Sequence, residues 1–105
     1  FSILSDGTLW AWGINNYAAL GLSDTTNRYS PVQVGTGNNW NNIFCGYWNT
    51  FAIQSNGTLW AWGNNSYGQL GQGDYTHRSS PVQVGTINRY LNVFALSNTV
   101  VAELG

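Results

Sequence analysis

The sequence predicts an all-β fold, and three observations support that prediction. Large apolar residues alternate with other residues over short runs such as FSIL (1–4) and FAIQ (51–54), which is the period of a β-strand. Each run is followed by a turn tripeptide with glycine, SDG (5–7) or SNG (55–57). No window of the chain has the 3.6-residue apolar period of an amphipathic helix, so no helix is predicted.

A long internal repeat organises these strands. The segment FSILSDGTLWAWG at residue 1 aligns with FAIQSNGTLWAWG at residue 51, without a gap, through SPVQVGT, which ends at Thr36 and Thr86. The similarity then fades: NWNNIFCGYWNTF meets NRYLNVFALSNTV, and the second copy is one residue shorter. We therefore predict a first repeat or blade over 1–50, a second over 51–100, and the start of a third over 101–105.

Four short strands are predicted in each repeat. The stretch TLWAWG returns as the second strand of a hairpin, with Trp10 and Trp12 on one face and Leu9 and Ala11 on the other. The stretch PVQV forms the third strand, and NNIFCG or LNVFAL forms the fourth. Apolar side chains on both faces indicate a sheet that is covered on both sides. Four strands with a period near fifty are typical of a β-propeller blade.

The motifs GTLWAWGNNSYGQLGQGD (57–74), RSSPVQV (78–84) and FCG (44–46) resemble the regulator of chromosome condensation repeat family, and together they cover essentially the whole chain. The resemblance implies a seven-bladed propeller with one repeat per blade. Since a closed propeller typically has four to eight blades, we expect a fragment of a longer chain, in preference to a subunit that closes a ring by oligomerising. Members of the family exchange nucleotide on the small GTPase Ran, bind chromatin, regulate ubiquitin transfer or inhibit β-lactamases, and the fold does not choose among these jobs.

Charge is scarce and scattered. Only 7% of the residues are charged, and the chain has no lysine and three arginines. A nucleic-acid surface needs clustered cations to hold phosphates, as does an anionic membrane surface, so neither partner is expected. The many tryptophan, tyrosine and asparagine residues favour an extracellular, cell-surface or virion setting over the cytoplasm.

No catalytic residue, metal site or cofactor is predicted. His77 is the sole histidine, and Asn27 takes its place in the other copy. A metal site needs several converging ligands, and a nucleophilic cysteine at Cys45 would need a histidine base nearby. The glycines of YGQLGQGD lack the GK[ST] ending of a phosphate-binding loop. We therefore expect a protein that is not an enzyme.

A residue present in both copies is interpreted as structural, because each blade needs it. This reasoning predicts that an aspartate and an arginine four residues later clamp the same loop in each copy. It assigns structural roles to Trp10, Trp12, Asp24, Arg28, Trp60, Trp62, Asp74 and Arg78. Ala18 replaces Gly68, and if that position needs a positive φ, the first loop is expected to bend differently.

Residues that differ between the copies are free to contact a partner. Aromatic residues and arginine are the usual interface anchors, which selects Tyr29, Trp40, Tyr75, Arg89 and Tyr90 as the predicted partner-binding residues. Packing between blades is an equal alternative for Trp40 and Tyr90. Asn56 and Asn64 begin Asn-X-Ser/Thr sequences that permit glycosylation.

The function expected from these features is a non-catalytic protein–protein interaction scaffold. One alternative is a guanine-nucleotide exchange or other regulatory factor for a small GTPase. Another is a carbohydrate-binding propeller, whose exposed aromatic rings would stack on sugars.

Overall fold

The computed structural model describes residues 1–95 and 98–105. Within these residues the fold is all-β, and every strand is antiparallel to its neighbours. Leu96, the last residue of the predicted strand LNVFAL, and Ser97 lie outside the described residues. The strands are β1 (Ser2–Ile3), β2 (Leu9–Gly13), β3 (Arg28–Gln33), β4 (Trp40–Cys45), β5 (Asn49–Gln54), β6 (Leu59–Gly63), β7 (Arg78–Gln83), β8 (Tyr90–Ala95) and β9 (Val100–Leu104).

The strands form three sheets in chain order. The first sheet has the order β1-β2-β3, the second β4-β5-β6-β7, and the third β8-β9. The second sheet is a four-stranded meander, as expected of a propeller blade, so the predicted fold class is confirmed. The described residues contain no helix that is long and apolar enough to cross a membrane.

The sheets are out of phase with the sequence repeat. The strand β4, which the sequence assigns to the first repeat, pairs with β5 of the second repeat, and no pairing with β3 is seen in the described residues. The predicted boundary at residue 50 therefore marks the repeat in sequence, whereas the complete blade runs from Trp40 to Gln83.

The third sheet follows the register of the second sheet at a constant spacing of fifty residues. Cys45 pairs with Thr50, and Ala95 pairs with Val100. The shortening by one residue that the sequence comparison suggests is therefore wrong for these strands. The difference matters, because a slip of one residue moves every side chain of a strand to the opposite face.

The sheets pack against each other through tryptophan. Trp62 is completely buried, and its ring lies edge-on to Phe1 of the first repeat and to Trp40. Its indole N–H donates a hydrogen bond to the Ala19 carbonyl over 2.8 Å. The Thr50 hydroxyl donates to the same carbonyl over 2.7 Å. One carbonyl of the first loop thus holds two side chains of the second sheet.

The loop after TLWAWG has the same conformation in both copies, so the expected difference at Ala18 is wrong. Ala18 adopts a φ of 60° and Gly68 a φ of 72°. In each copy this residue donates its N–H to an asparagine carbonyl over 3.1 Å, from Ala18 to Asn15 and from Gly68 to Asn65. The surrounding hydrogen bonds hold Ala18 in a left-handed conformation that costs about 1 kcal/mol relative to glycine.

Candidate interaction surface

The Asp–Arg pairs close the same loop in both copies. Asp24 accepts a hydrogen bond from Arg28 over 2.7 Å, and Asp74 accepts one from Arg78 over 2.8 Å. Each aspartate also accepts from a backbone N–H two residues later and from a buried asparagine amide. These hydrogen bonds, above all that from the arginine, lower the pKa of both carboxyls. Each carboxylate is thereby engaged within its own loop.

His77 supports the second loop in the way that Asn27 supports the first. Its Nδ1 accepts a hydrogen bond from the Asn65 N–H over 2.8 Å, and the Asn27 side-chain oxygen accepts from the Asn15 N–H over the same distance. The described residues contain no group of three or more potential metal ligands. The Nδ1 of His77 is therefore occupied by a hydrogen bond to the backbone.

Cys45 ends β4 with an accessible side chain. Partial burial raises the pKa of its thiol, so the reactive thiolate is disfavoured at neutral pH.

The predicted partner-binding residues lie in different surroundings. Tyr29 is 95% exposed on β3, and Tyr75 is exposed in the second loop. Arg89 and Tyr90 line one shallow depression of about 390 Å³ beside Asn56. Trp40 is buried between Trp60 and Trp62, so its ring packs between sheets and is not displayed to solvent. The structure does not bring these five residues into one surface patch.

The two glycosylation sequences also differ in exposure. Asn56 is exposed in the β5–β6 turn, where its side-chain oxygen accepts from the Thr58 N–H and hydroxyl. Asn64 is only 8% exposed, and its side-chain oxygen accepts from the Ser66 N–H and the Gln69 amide. A glycan on Asn64 would have to displace this packing, whereas Asn56 already faces solvent.

An exposed aromatic cluster lies where the first loop meets the second sheet. We call it the junction cluster, and it consists of Ile14, Tyr17, Tyr47 and Trp48. The Trp48 ring centroid lies 4.8 Å from that of Tyr17 and 4.7 Å from that of Tyr47. Trp48 is 47% exposed and Tyr47 is 69% exposed, so the rings pack against one another and still face solvent. They line a depression of about 380 Å³ together with Asn16 and Ala19.

The hairpin between β4 and β5 positions the junction cluster. Its turn is closed by a hydrogen bond from the Gly46 N–H to the Asn49 carbonyl, with Tyr47 and Trp48 at the tip. The Trp48 carbonyl accepts from the Asn64 N–H over 2.9 Å. A Cβ added to Gly63 would lie 2.6 Å from that carbonyl, so only glycine permits this approach. The rings are therefore displayed from a fixed backbone.

Sequence reasoning did not find the junction cluster. Ile14 was recognisable because Asn64 replaces it in the second copy, and Asn98 stands fifty residues after Trp48. Tyr47 and Trp48 fall beyond SPVQVGT, where the two copies no longer align clearly. A comparison of the two copies would reveal that Trp48 is not repeated, but only if the copies are aligned at a spacing of fifty residues. The paired strands establish that spacing.

The junction cluster has the chemistry of a contact surface. It holds no acidic or basic side chain, and its polar groups are a neighbouring amide, the Trp48 indole N–H and two tyrosine hydroxyls. Aromatic rings of this kind bury large apolar areas with little loss of side-chain entropy and can still donate a hydrogen bond.

Most of the chain matches a known family of repeats. The family described as Regulator of chromosome condensation (RCC1) repeat matches residues 6–53 and 56–98, and a second description of the same repeat matches residues 40–69. No curated protein matches the chain.

Solved structures share the fold. Human WBSCR16 is 23% identical over 96% of this chain and 27% of its own, with a TM-score of 0.82. Yeast RCC1 (Prp20) bound to Kap60 is 20% identical over 97% of this chain and 27% of its own, with a TM-score of 0.82. Prp20p from Saccharomyces cerevisiae is 16% identical over 91% of this chain and 26% of its own, with a TM-score of 0.71. The chain thus spans about a quarter of the length of these relatives and corresponds to a fragment of a β-propeller. By its repeats and its fold, the chain belongs to the regulator of chromosome condensation (RCC1) repeat family.

Proposed function

We propose that this chain is a non-catalytic protein-interaction module and that its contact surface is the junction cluster. The observation that carries the proposal is the exposure of the Tyr47 and Trp48 rings, which pack against each other and which the second copy does not reproduce. A ring that each blade needed for folding would recur with the repeat, as Trp60 recurs after Trp10. Tyr47 and Trp48 lie outside the repeat and are exposed, so both rings are available for a partner.

The energetics of interfaces support a protein partner. Tryptophan and tyrosine are over-represented among the residues that dominate binding energy, and they act best when neighbours exclude water around them. Tyr17 and Tyr47 flank Trp48 in this way. Among the solved relatives, yeast RCC1 (Prp20) is bound to Kap60, and Prp20p has binding properties to Gsp1p and histones. A protein is therefore the partner class that we propose here.

The absence of catalysis is part of the proposal. Asp24 and Asp74 are engaged by their arginines, and Asp6 accepts hydrogen bonds from the N–H and hydroxyl of Thr8. General acid–base catalysis would need such groups within reach of a substrate. Each of these carboxylates instead stabilises its own turn.

An extracellular, cell-surface or virion setting is also part of the proposal. The composition supports it: 7% charged residues, no lysine and many asparagines. The exposed Asn56 sequence would accept a glycan in a eukaryotic secretory pathway.

A second candidate function is carbohydrate binding. The observation that favours it is the partly exposed ring of Trp48 beside the Asn16 amide, since an aromatic ring can cover the apolar face of a sugar while an amide bonds its hydroxyls. Binding of the chain to a glycan array, lost in Trp48→Ala, would establish this candidate.

Photocrosslinking tests the first candidate. A p-benzoylphenylalanine at position 47 should crosslink one specific protein from the source organism, and the crosslink should disappear when Trp48→Ala is added. The matched control places the same group at position 67, where the tyrosine is as exposed as Tyr47, at 69%, and lies outside the junction cluster. Equal crosslinking from both positions, or crosslinking unaffected by Trp48→Ala, would contradict the proposal.

A further inference from the structure

The β1–β2 turn and the β5–β6 turn differ in chemistry at one residue. Their sequences are SDGT (5–8) and SNGT (55–58), so Asp6 stands in the first copy where the second copy has Asn56. Both residues are exposed. Asn56 belongs to the only Asn-Gly pair in the sequence. In such a pair the asparagine side chain reacts most readily with the main chain, because glycine has no side chain to hinder the approach.

The two side chains make the same hydrogen bonds. The Asn56 Oδ1 accepts from the Thr58 N–H over 3.1 Å and from the Thr58 hydroxyl over 2.7 Å. The Asp6 Oδ1 accepts from the Thr8 N–H over 3.0 Å and from the Thr8 hydroxyl over 2.6 Å. An aspartate at position 56 would therefore have the partners that already hold Asp6 in the first copy.

The threonine donors also activate the Asn56 side chain. Two donors on one oxygen polarise the carboxamide and stabilise the negative charge that this oxygen gains when a nucleophile adds to Cγ. The nucleophile within the turn is the Gly57 nitrogen. Its N–H donates to the Gln54 carbonyl over 2.9 Å, so this one bond must open before the nitrogen attacks.

Glycine cannot be replaced at either turn. A Cβ on Gly57 would overlap the Asn88 carbonyl, and the φ of Gly57 is 84°. A Cβ on Gly7 would overlap the Asn38 carbonyl in the same way, at a φ of 83°. The reactive pair can therefore be removed only by changing the asparagine, and the first copy has aspartate at that position.

The exposure of this turn is a property of the blade. The first turn is followed by the complete second sheet, and Asp6 is still exposed. The Trp40 N–H donates to the Gly7 carbonyl over 3.0 Å, and the Tyr90 N–H donates to the Gly57 carbonyl over the same distance. In both copies the next sheet thus holds the glycine of the turn and leaves the side chain before it in solvent.

We propose that Asn56 is a site of spontaneous deamidation. The Gly57 nitrogen bonds to the Asn56 Cγ, the Cγ–Nδ2 bond breaks, and ammonia leaves with the proton that the Gly57 nitrogen gives up. Water then opens the five-membered succinimide and supplies the new carboxyl oxygen. Opening at Cγ gives aspartate, which reproduces the turn around Asp6, whereas opening at the main-chain carbonyl gives isoaspartate and lengthens the turn by a methylene.

The modification changes two properties of the turn. The chain gains one negative charge, on a formal net charge of −1. Hydrogen bonds from Thr8 lower the pKa of Asp6, and the same bonds from Thr58 would keep the new carboxylate ionised. The glycosylation sequence at 56–58 is lost with the amide, so a glycan and the new charge exclude each other at this residue.

Peptide mapping by mass spectrometry tests the proposal. The native full-length chain is incubated in water labelled with heavy oxygen, at neutral and at mildly alkaline pH, beside the same chain unfolded in denaturant. Asn56 should be the first asparagine to convert, with one labelled oxygen in the product, a rate that rises with pH, and a smaller share of isoaspartate than in the unfolded chain. Earlier conversion of another asparagine, or an intact Asn56 once the unfolded chain has converted completely, would overturn the proposal.

Two variants test the role of the turn. Asp6→Asn makes the first turn identical in sequence to the second, so position 6 should convert at a rate similar to that of Asn56. Thr58→Val removes the hydroxyl donor and should slow the conversion of Asn56 by about threefold or more. Circular dichroism checks that each variant is folded. An Asp6→Asn chain that converts at position 56 alone, or a folded Thr58→Val chain that converts as fast as the wild type, would contradict the proposed mechanism.

Discussion

Trp12 and Trp62 occupy the same place in the two copies of TLWAWG, yet one is 43% exposed and the other is completely buried. Trp62 lies between two sheets, with its indole N–H on the carbonyl of Ala19. Trp12 has no preceding sheet over it in the described residues. The difference teaches that the motif encodes a contact between sheets, so the stability of each blade depends on its neighbour.

The largest expected effect separates the two tryptophans. Trp62→Ala should lower the free energy of unfolding by about 3–5 kcal/mol, because it leaves a cavity among buried residues and removes one of the two hydrogen bonds to the Ala19 carbonyl. Trp12→Ala, which removes the same ring from the same motif, should cost about 1 kcal/mol, since much of that ring is already solvated. Urea unfolding followed by far-ultraviolet circular dichroism measures both. Equal losses would contradict the account of the junction between the sheets.

The glycine that ends each TLWAWG motif gives the second comparison. Gly13 and Gly63 both have a positive φ, 113° and 104°, at the irregularities between β2 and β3 and between β6 and β7. A Cβ on Gly13 meets nothing within 4 Å, whereas one on Gly63 meets the Trp48 carbonyl at 2.6 Å. Gly13→Ala should therefore lower the free energy of unfolding by about 1 kcal/mol, from backbone strain alone. Gly63→Ala should lower it by the same amount and by about 1–3 kcal/mol more, because of the clash. Denaturant midpoints compare the two, and a larger loss at Gly13 would refute this reading.

Ala18 and Gly68 provide a smaller and reciprocal test. Both hold a left-handed φ, so Ala18→Gly should stabilise the chain by up to about 1 kcal/mol and Gly68→Ala should destabilise it by a similar amount. Thermal unfolding of the two variants beside the wild type measures the pair. If Ala18→Gly destabilised the chain, the first loop would have to differ from the second.

The smallest effect comes from the Asp–Arg clamps and depends on pH. Hydrogen bonds, chiefly from Arg28 and Arg78, hold the pKa of Asp24 and Asp74 below the ordinary value of 3.8. A carboxyl with a lowered pKa contributes stability that is present above pH 3.8 and is lost as the pH falls through the folded value. The variant Asp24→Asn/Asp74→Asn should show a flatter loss of stability in this acid range than the wild type. Parallel curves for the two proteins would exclude this contribution.

More of the fold than of the candidate site could be predicted from the sequence, because the fold is encoded by local features. Strand periodicity, turn glycines and the repeat are local features, so the all-β blades followed from residues such as Gly57 and Trp60 alone. The sequence did not reveal that each sheet combines strands of two successive repeats. The strand β4, which pairs with β5, lies beyond the point where the two copies stop resembling each other.

The candidate site depended on that same missing information. The sequence could not show which sheets meet at Trp40, and it therefore selected this residue as a partner contact. In the structure Trp40 is buried between Trp60 and Trp62. The junction cluster combines Tyr17 with Trp48, thirty-one residues later in the chain, and only the packing of the first loop on the second sheet brings these rings together.

The central claim is that repeated tryptophans build the blades and the unrepeated Trp48 binds a partner. The most direct test is the dissociation constant of the protein crosslinked through position 47, measured by calorimetry for the wild-type chain and for Trp48→Ala. We predict binding at least about 30-fold weaker in Trp48→Ala, the loss expected of a dominant interface residue, with an unfolding free energy close to that of the wild type. Unchanged affinity in a folded Trp48→Ala chain would contradict the account.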